Sequence, residues 1–167
     1  MPERIRSLTV LNAIVNPDGF KRPWMMEPFA VRGVRFAWLR SMSRPVWRAL
    51  YHQAGVSRHR AVAASEIDAH LLLLKRGDRG RSFLRVMRGF ERTAEKRDLY
   101  ASALTGPYPV QVVWGERDPA LKLSGQGEYA RRTAGLEEIH TIPGKHFIPE
   151  DHPAEIAERV AGIAGGS

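Results

Sequence analysis

The sequence predicts an α/β protein built on a parallel sheet. Three observations lead there. Residues 7–15 (SLTVLNAIV) form a continuous apolar run, the pattern of a strand buried on both faces. A long middle stretch, 20–103, carries helical periodicity. Residues 109–164 then alternate strand, helix, strand, helix, an order that implies parallel strands joined by right-handed crossovers.

Taken in order, the first strand is stopped by Asn16-Pro17-Asp18-Gly19, a strong turn signal. In the middle stretch, residues 65–75 (SEIDAHLLLLK) read as a helix with Ser65 as its cap, early acids and a late base. Residues 81–90 read as an amphipathic helix with Phe83, Met87 and Phe90 on one side. Arg81, Arg85, Arg88 and Arg92 recur along another side, most simply as a solvated face. Residues 109–114 (PVQVVW) form the next strand, and Gly115 to Pro119 its exit loop. A helix over 124–133 is stopped by Gly135, and 136–142 (LEEIHTI) is a further strand. After a loop at 143–150, a last helix spans 153–164, with Ile156, Val160 and Ile163 on one face.

The chain has 167 residues, 43% hydrophobic and 26% charged, which suits one soluble domain with a real core. It has no cysteine, which removes disulfides, thiolate metal sites and cysteine nucleophiles at once. No apolar run resembles a signal peptide or spans a bilayer, so a cytoplasmic protein without membrane contact is expected. The net charge of +8 raises the question of nucleic acid. The excess is local: residues 20–100 hold 18 Lys and Arg against 7 Asp and Glu, and the remainder is slightly acidic. With no nucleic-acid motif and no stacking pattern of aromatics, nucleic acid is not the expected partner.

Chemistry is expected where open parallel sheets place it, at the carboxyl ends of strands. The loops after the two later strands each present one ionisable residue, Asp118 and His146. Neighbouring strands would bring them within hydrogen-bond reach. A histidine serving as general base needs a carboxylate on its far nitrogen, to fix the tautomer and stabilise the imidazolium. Gly115 and Gly144 would let the two loops turn sharply. Taken singly, each residue has a plainer reading: Asp-Pro favours turns, and a lone histidine after a strand is more often structural.

The segments VVWGERDP and IHTIPGKHFIPEDHPAEIAERV resemble the C-terminal end of the α/β-hydrolase family, and most of all its haloalkane dehalogenase and epoxide hydrolase branch. Three motifs carry the resemblance: W-G-x-x-D-P after one strand, G-x-H-F after the next, and E-D-x-P opening the last helix. The resemblance implies a partial α/β-hydrolase, the last three parallel strands (sixth to eighth) with flanking helices and a helical cap. Residues 1–19 would hold the sixth strand and the loop into the cap, 20–103 the cap, and 104–167 the C-terminal core. His146 would be the general base and Asp118 the acid that orients it. Trp24 and Trp38, with Trp47, are candidates for the substrate-binding wall, although aromatics so placed are more often interhelical packing.

The family's nucleophile stands on a G-x-[SD]-x-G elbow, and no Ser or Asp here lies in that frame. Asn12 cannot replace an acid, and Asp18 is read as a turn residue. The expectation is therefore a hydrolase of small organic substrates (ester, epoxide or carbon–halogen bond) whose nucleophile lies outside this chain. It would be inactive by itself and would form a homodimer or pair with a complementing N-terminal half. Neither cofactor nor metal is expected, since no ligand pattern such as H-E-x-x-H occurs. The competing expectation is a non-catalytic binding protein that uses the basic cap.

Overall fold

A computed structural model of the chain describes residues 4–165. Its centre is a parallel sheet of β1 (Leu8–Leu11), β2 (Val110–Gly115) and β3 (His140–Ile142), in that spatial order. Leu8 pairs with Val110 and Leu11 with Val113, while Val113 faces His140 and Gly115 faces Ile142. The central strand β2 is buried from Gln111 to Gly115, as a strand covered on both faces should be. The outer strands are shorter than the sequence suggests. The run at 7–15 leaves the sheet after Leu11, because Asn12 turns into the left-handed region at φ 36. The run at 136–142 pairs only from His140 onward.

The connection from β1 to β2 is helical: α1 (Glu27–Ala30), α2 (Val34–Ser41), α3 (Arg44–Leu50), α4 (Ala64–Lys75), α5 (Arg81–Arg88) and α6 (Ala94–Leu104). A single π-helical turn, Tyr51–Gly55, extends α3. α4 starts one residue earlier than expected and is not capped by Ser65; the Glu66 carboxylate reaches back to the backbone N–H of Ala63 at 2.9 Å. α5 starts at Arg81 because Asp78 accepts the Ser82 N–H and hydroxyl, both at 2.6 Å. It stops at Arg88, where Gly89 leaves the helical conformation, so Arg92 lies beyond the helix. Arg81, Arg85 and Arg88 are exposed, and Leu84 and Met87 are buried on the other side.

Three more helices complete the chain: α7 (Glu128–Thr133), α8 (Ile148–Asp151) and α9 (Pro153–Gly165). α7 is entered through a π-helical turn at Leu123–Gly127 and ended by Gly135, whose φ of 68 lets the Leu136 N–H close on the Arg131 carbonyl at 3.0 Å. α9 is anchored to the sheet by Ile156 and by Gln111, whose amide donates to the Arg159 carbonyl at 2.9 Å. Val160, expected on the same apolar face, is 40% exposed.

The core divides along these lines. Val10, Val112, Trp114, Leu121, Ala130 and Leu104 fill one side of the sheet, so α6 packs with the sheet helices. Val113, Ile142, Ile148 and Ile156 fill the other. Helices α1 to α5 enclose their own cluster, with Phe29, Leu39, Met42, Leu71, Leu84 and Met87. Among the described residues no helix is long and apolar enough to cross a membrane.

Candidate active site

The loops after β2 and β3 lie side by side. The Glu116 N–H bonds the Ile142 carbonyl at 3.0 Å, and the Arg117 N–H bonds the Gly144 carbonyl at 3.0 Å. Space rather than backbone conformation explains both glycines, since neither has a positive φ. A Cβ on Gly115 would collide with the Lys145 carbonyl oxygen, and one on Gly144 would meet the Ile148 side chain at 2.6 Å.

At this junction His146 Nδ1 lies 2.9 Å from Asp118 Oδ2. The Asp118 side chain has no solvent exposure, and that of His146 retains 29%. Asp118 is held by its other oxygen, Oδ1, which accepts the Ala120 N–H at 2.7 Å and the Leu121 N–H at 2.9 Å. A carboxylate only accepts, so Nδ1 carries the shared hydrogen, and in the neutral imidazole Nε2 is left as the free acceptor. A buried carboxylate fixed at one oxygen and presented to an imidazole at the other is the arrangement that general-base chemistry requires.

Asn12 completes the junction. Its Nδ2 donates to the carbonyls of Lys145 at 2.8 Å and His146 at 3.0 Å, and its Oδ1 accepts the Gly115 N–H at 2.8 Å. The sequence considered this residue only as an unsuitable acid. Its partners lie 103 to 134 residues away, and no local pattern marks them. A helical-segment turn also grips the histidine loop: the His146 and Phe147 N–H groups bond the Ala54 and Gly55 carbonyls at 3.2 and 2.8 Å, and Lys145 Nζ donates to the His52 carbonyl at 2.6 Å. Burial, followed by the charges of His59, Lys145 and Arg48, pushes His52 below its ordinary value.

Above His146 lies a cavity of about 370 Å³ between the strand loops and the helical segment. Its wall is almost wholly apolar, with Phe29, Met42, Trp47, Phe83 and Phe90 on the helical side and Leu121 and Phe147 on the sheet side. Two polar groups besides His146 reach it, Arg22 and Tyr51. The Tyr51 hydroxyl is buried without a hydrogen-bond partner. Burial first, then the charges of Glu150, Asp151 and Glu66, push its pKa up to about 12, so it is a neutral donor at pH 7.

The tryptophans sort differently from expectation. Trp24 is 65% exposed and does not line the cavity. Trp38 also stands outside it; its indole N–H donates to the Met25 carbonyl at 3.3 Å and its ring meets Phe29 edge-on. Only Trp47 of the three reaches the wall. Asp18 pairs with Arg97 at 2.6 Å in its turn and stands apart from the His146 junction. Among the described residues no group of three or more His, Asp or Glu could hold a metal ion.

No family model and no curated protein matches the sequence. Solved structures do match. The chain is similar to 2-hydroxy-6-oxo-6-phenylhexa-2,4-dienoate hydrolase from Rhodococcus sp. strain RHA1, at 17% identity and a TM-score of 0.67, over 96% of this chain and 56% of that one. It is similar to Cfl2 from Burkholderia cenocepacia at 18% identity and a TM-score of 0.73, over 96% and 57%. It is also similar to an epoxide hydrolase from Bacillus megaterium at 15% identity and a TM-score of 0.63, over 98% and 62%. The chain therefore spans little more than half the length of these structures, and its fold is part of an α/β-hydrolase fold.

Proposed function

We propose that this chain carries the base and acid of an α/β-hydrolase triad, His146 and Asp118, and that α1 to α5 form the cap over its substrate cavity. The observation that carries the reading is the fixed Asp118–His146 pair at the floor of an apolar cavity. With Nδ1 engaged by Asp118, Nε2 removes a proton from the nucleophile, or from the water that later cleaves the covalent intermediate. The cavity volume is in the range that encloses a small organic molecule. The substrates named for two of the structural neighbours, a phenyl-bearing dienoate and an epoxide, are both of that class. No Ser or Asp of the sequence lies in the elbow frame, so the nucleophile comes from polypeptide other than these 167 residues.

The test is to extend the chain by the residues encoded directly upstream and to assay aryl esters and epoxides. Turnover by the extended chain that is lost in both His146→Ala and Asp118→Ala supports the reading. Absence of an elbow upstream, or turnover that survives His146→Ala, sinks it. The 167-residue chain alone is expected to be inactive toward the same substrates.

A further inference from the structure

One buried charge in the cavity wall is incompletely partnered. The Arg22 side chain is only 9% exposed. Its Nε is buried and makes no hydrogen bond. Nη2 reaches the Met87 carbonyl at 3.3 Å, the long end of the range, and Nη1 stands 3.6 Å from the half-exposed Glu27 carboxylate, beyond hydrogen-bond distance. A guanidinium stays charged at any working pH. Burying it with one long hydrogen bond and one loose ion pair to a half-exposed carboxylate is unfavourable unless something else completes its shell.

The cavity specifies what that something is. Among the described residues no Asp or Glu lines it, and Arg22 is the one permanent charge in its wall. The same wall holds Phe20, Phe83, Met87, Phe90 and Trp47. The complement to one buried fork donor in an apolar chamber is a single planar anion on an apolar body. A phosphate dianion would leave its second charge without a partner; a carboxylate would not.

We propose that the cavity takes an apolar carboxylic acid, its carboxylate paired with Arg22 and its aryl or alkyl body against the aromatic wall. This rests on the preceding reading only in naming the ligand a substrate, with its reactive bond toward His146. Arg22 thus selects the acid over its neutral analogues.

The experiment measures binding without turnover. Calorimetric titration of the full 167-residue chain at neutral pH compares 4-phenylbutanoate with 4-phenylbutanamide, which differ in charge and hardly in size. The acid is expected to bind at least about tenfold more tightly. Arg22→Gln is expected to erase that preference, and Arg22→Lys, which keeps the charge but not the fork, to retain part of it; far-UV circular dichroism checks the fold of each. Equal affinity for acid and amide in the wild-type chain, no binding of either, or a preference that survives Arg22→Gln in folded protein overturns the proposal. Since no bond is broken, the hydrolase reading can fail in the extended chain while this preference stands, and the preference can fail while turnover persists.

Discussion

Asn12 donates its side-chain amide to the carbonyl of His146 at 3.0 Å, across 134 positions of sequence. The same amide holds the Lys145 carbonyl, and its oxygen takes the Gly115 N–H, so one side chain ties the end of β1 to the loops after β2 and β3. Only this orientation of the amide satisfies all three partners. Asparagine also tolerates its φ of 36 better than most residues. Asn12→Ala should cost about 2–4 kcal/mol in urea unfolding, because it orphans the buried Gly115 N–H and two carbonyls. Asn12→Gly should cost less than alanine by relieving the backbone. Asn12→Asp should be at least as damaging as alanine, since it points a carboxylate oxygen at two carbonyls. An alanine variant as stable as wild type would show that the loops need no such tie.

Asp118 has two tasks, one for each oxygen. Oδ1 holds the 118–121 turn and Oδ2 faces His146. Asp118→Asn keeps the shape but offers His146 an amide that can turn either its donor or its acceptor inward. Nitrogen NMR of the His146 ring should find the Nδ1–H tautomer in wild type and a shift toward Nε2–H in the variant. An unchanged tautomer would separate the carboxylate from any orienting role.

The strand-and-loop framework was legible because its signals are local: a valine-rich run for β2, glycines at both loops, a proline at the first turn of α9. The geometry that joins these pieces was not. Gly115 and Gly144 read in the sequence as conformational hinges, yet Gly115 supplies space for the loop after β3, a property of two segments at once, and Gly144 supplies space for Ile148 four residues on. Trp24 and Trp38 looked like a substrate wall because composition says nothing about which way a helix faces. Arg22 and Tyr51 carried no signal at all, since an unpartnered buried polar atom exists only after the chain has folded.

The sheet order leaves one side of β1 unpaired among the described residues. Such an edge presents backbone donors and acceptors to any strand that can reach it. Self-association of the 167-residue chain is therefore expected to rise with concentration between about 10 µM and about 500 µM, read by sedimentation velocity. A single monomeric species over that range would mean that the edge is protected. The extended chain of the functional test should associate less, if its added strand occupies this position.

Tyr51 connects the cavity to the pH dependence of stability. Its hydroxyl is buried without a partner, so at pH 7 Tyr51→Phe removes an unsatisfied polar group and should leave stability unchanged or slightly raised. At high pH the difference should widen in the same sense. The ordinary tyrosine value is 10.0 and the folded one about 12, so the unfolded chain gives up this proton first. The stabilisation linked to the raised value is fully present below pH 10 and is lost as pH rises through the folded value near 12. Between about pH 9 and about pH 11.5 the wild-type chain should therefore lose more unfolding free energy than Tyr51→Phe, a difference in which the titration of the other groups cancels. Parallel stability curves would mean that Tyr51 titrates alike in both states and that its hydroxyl meets water in the folded chain.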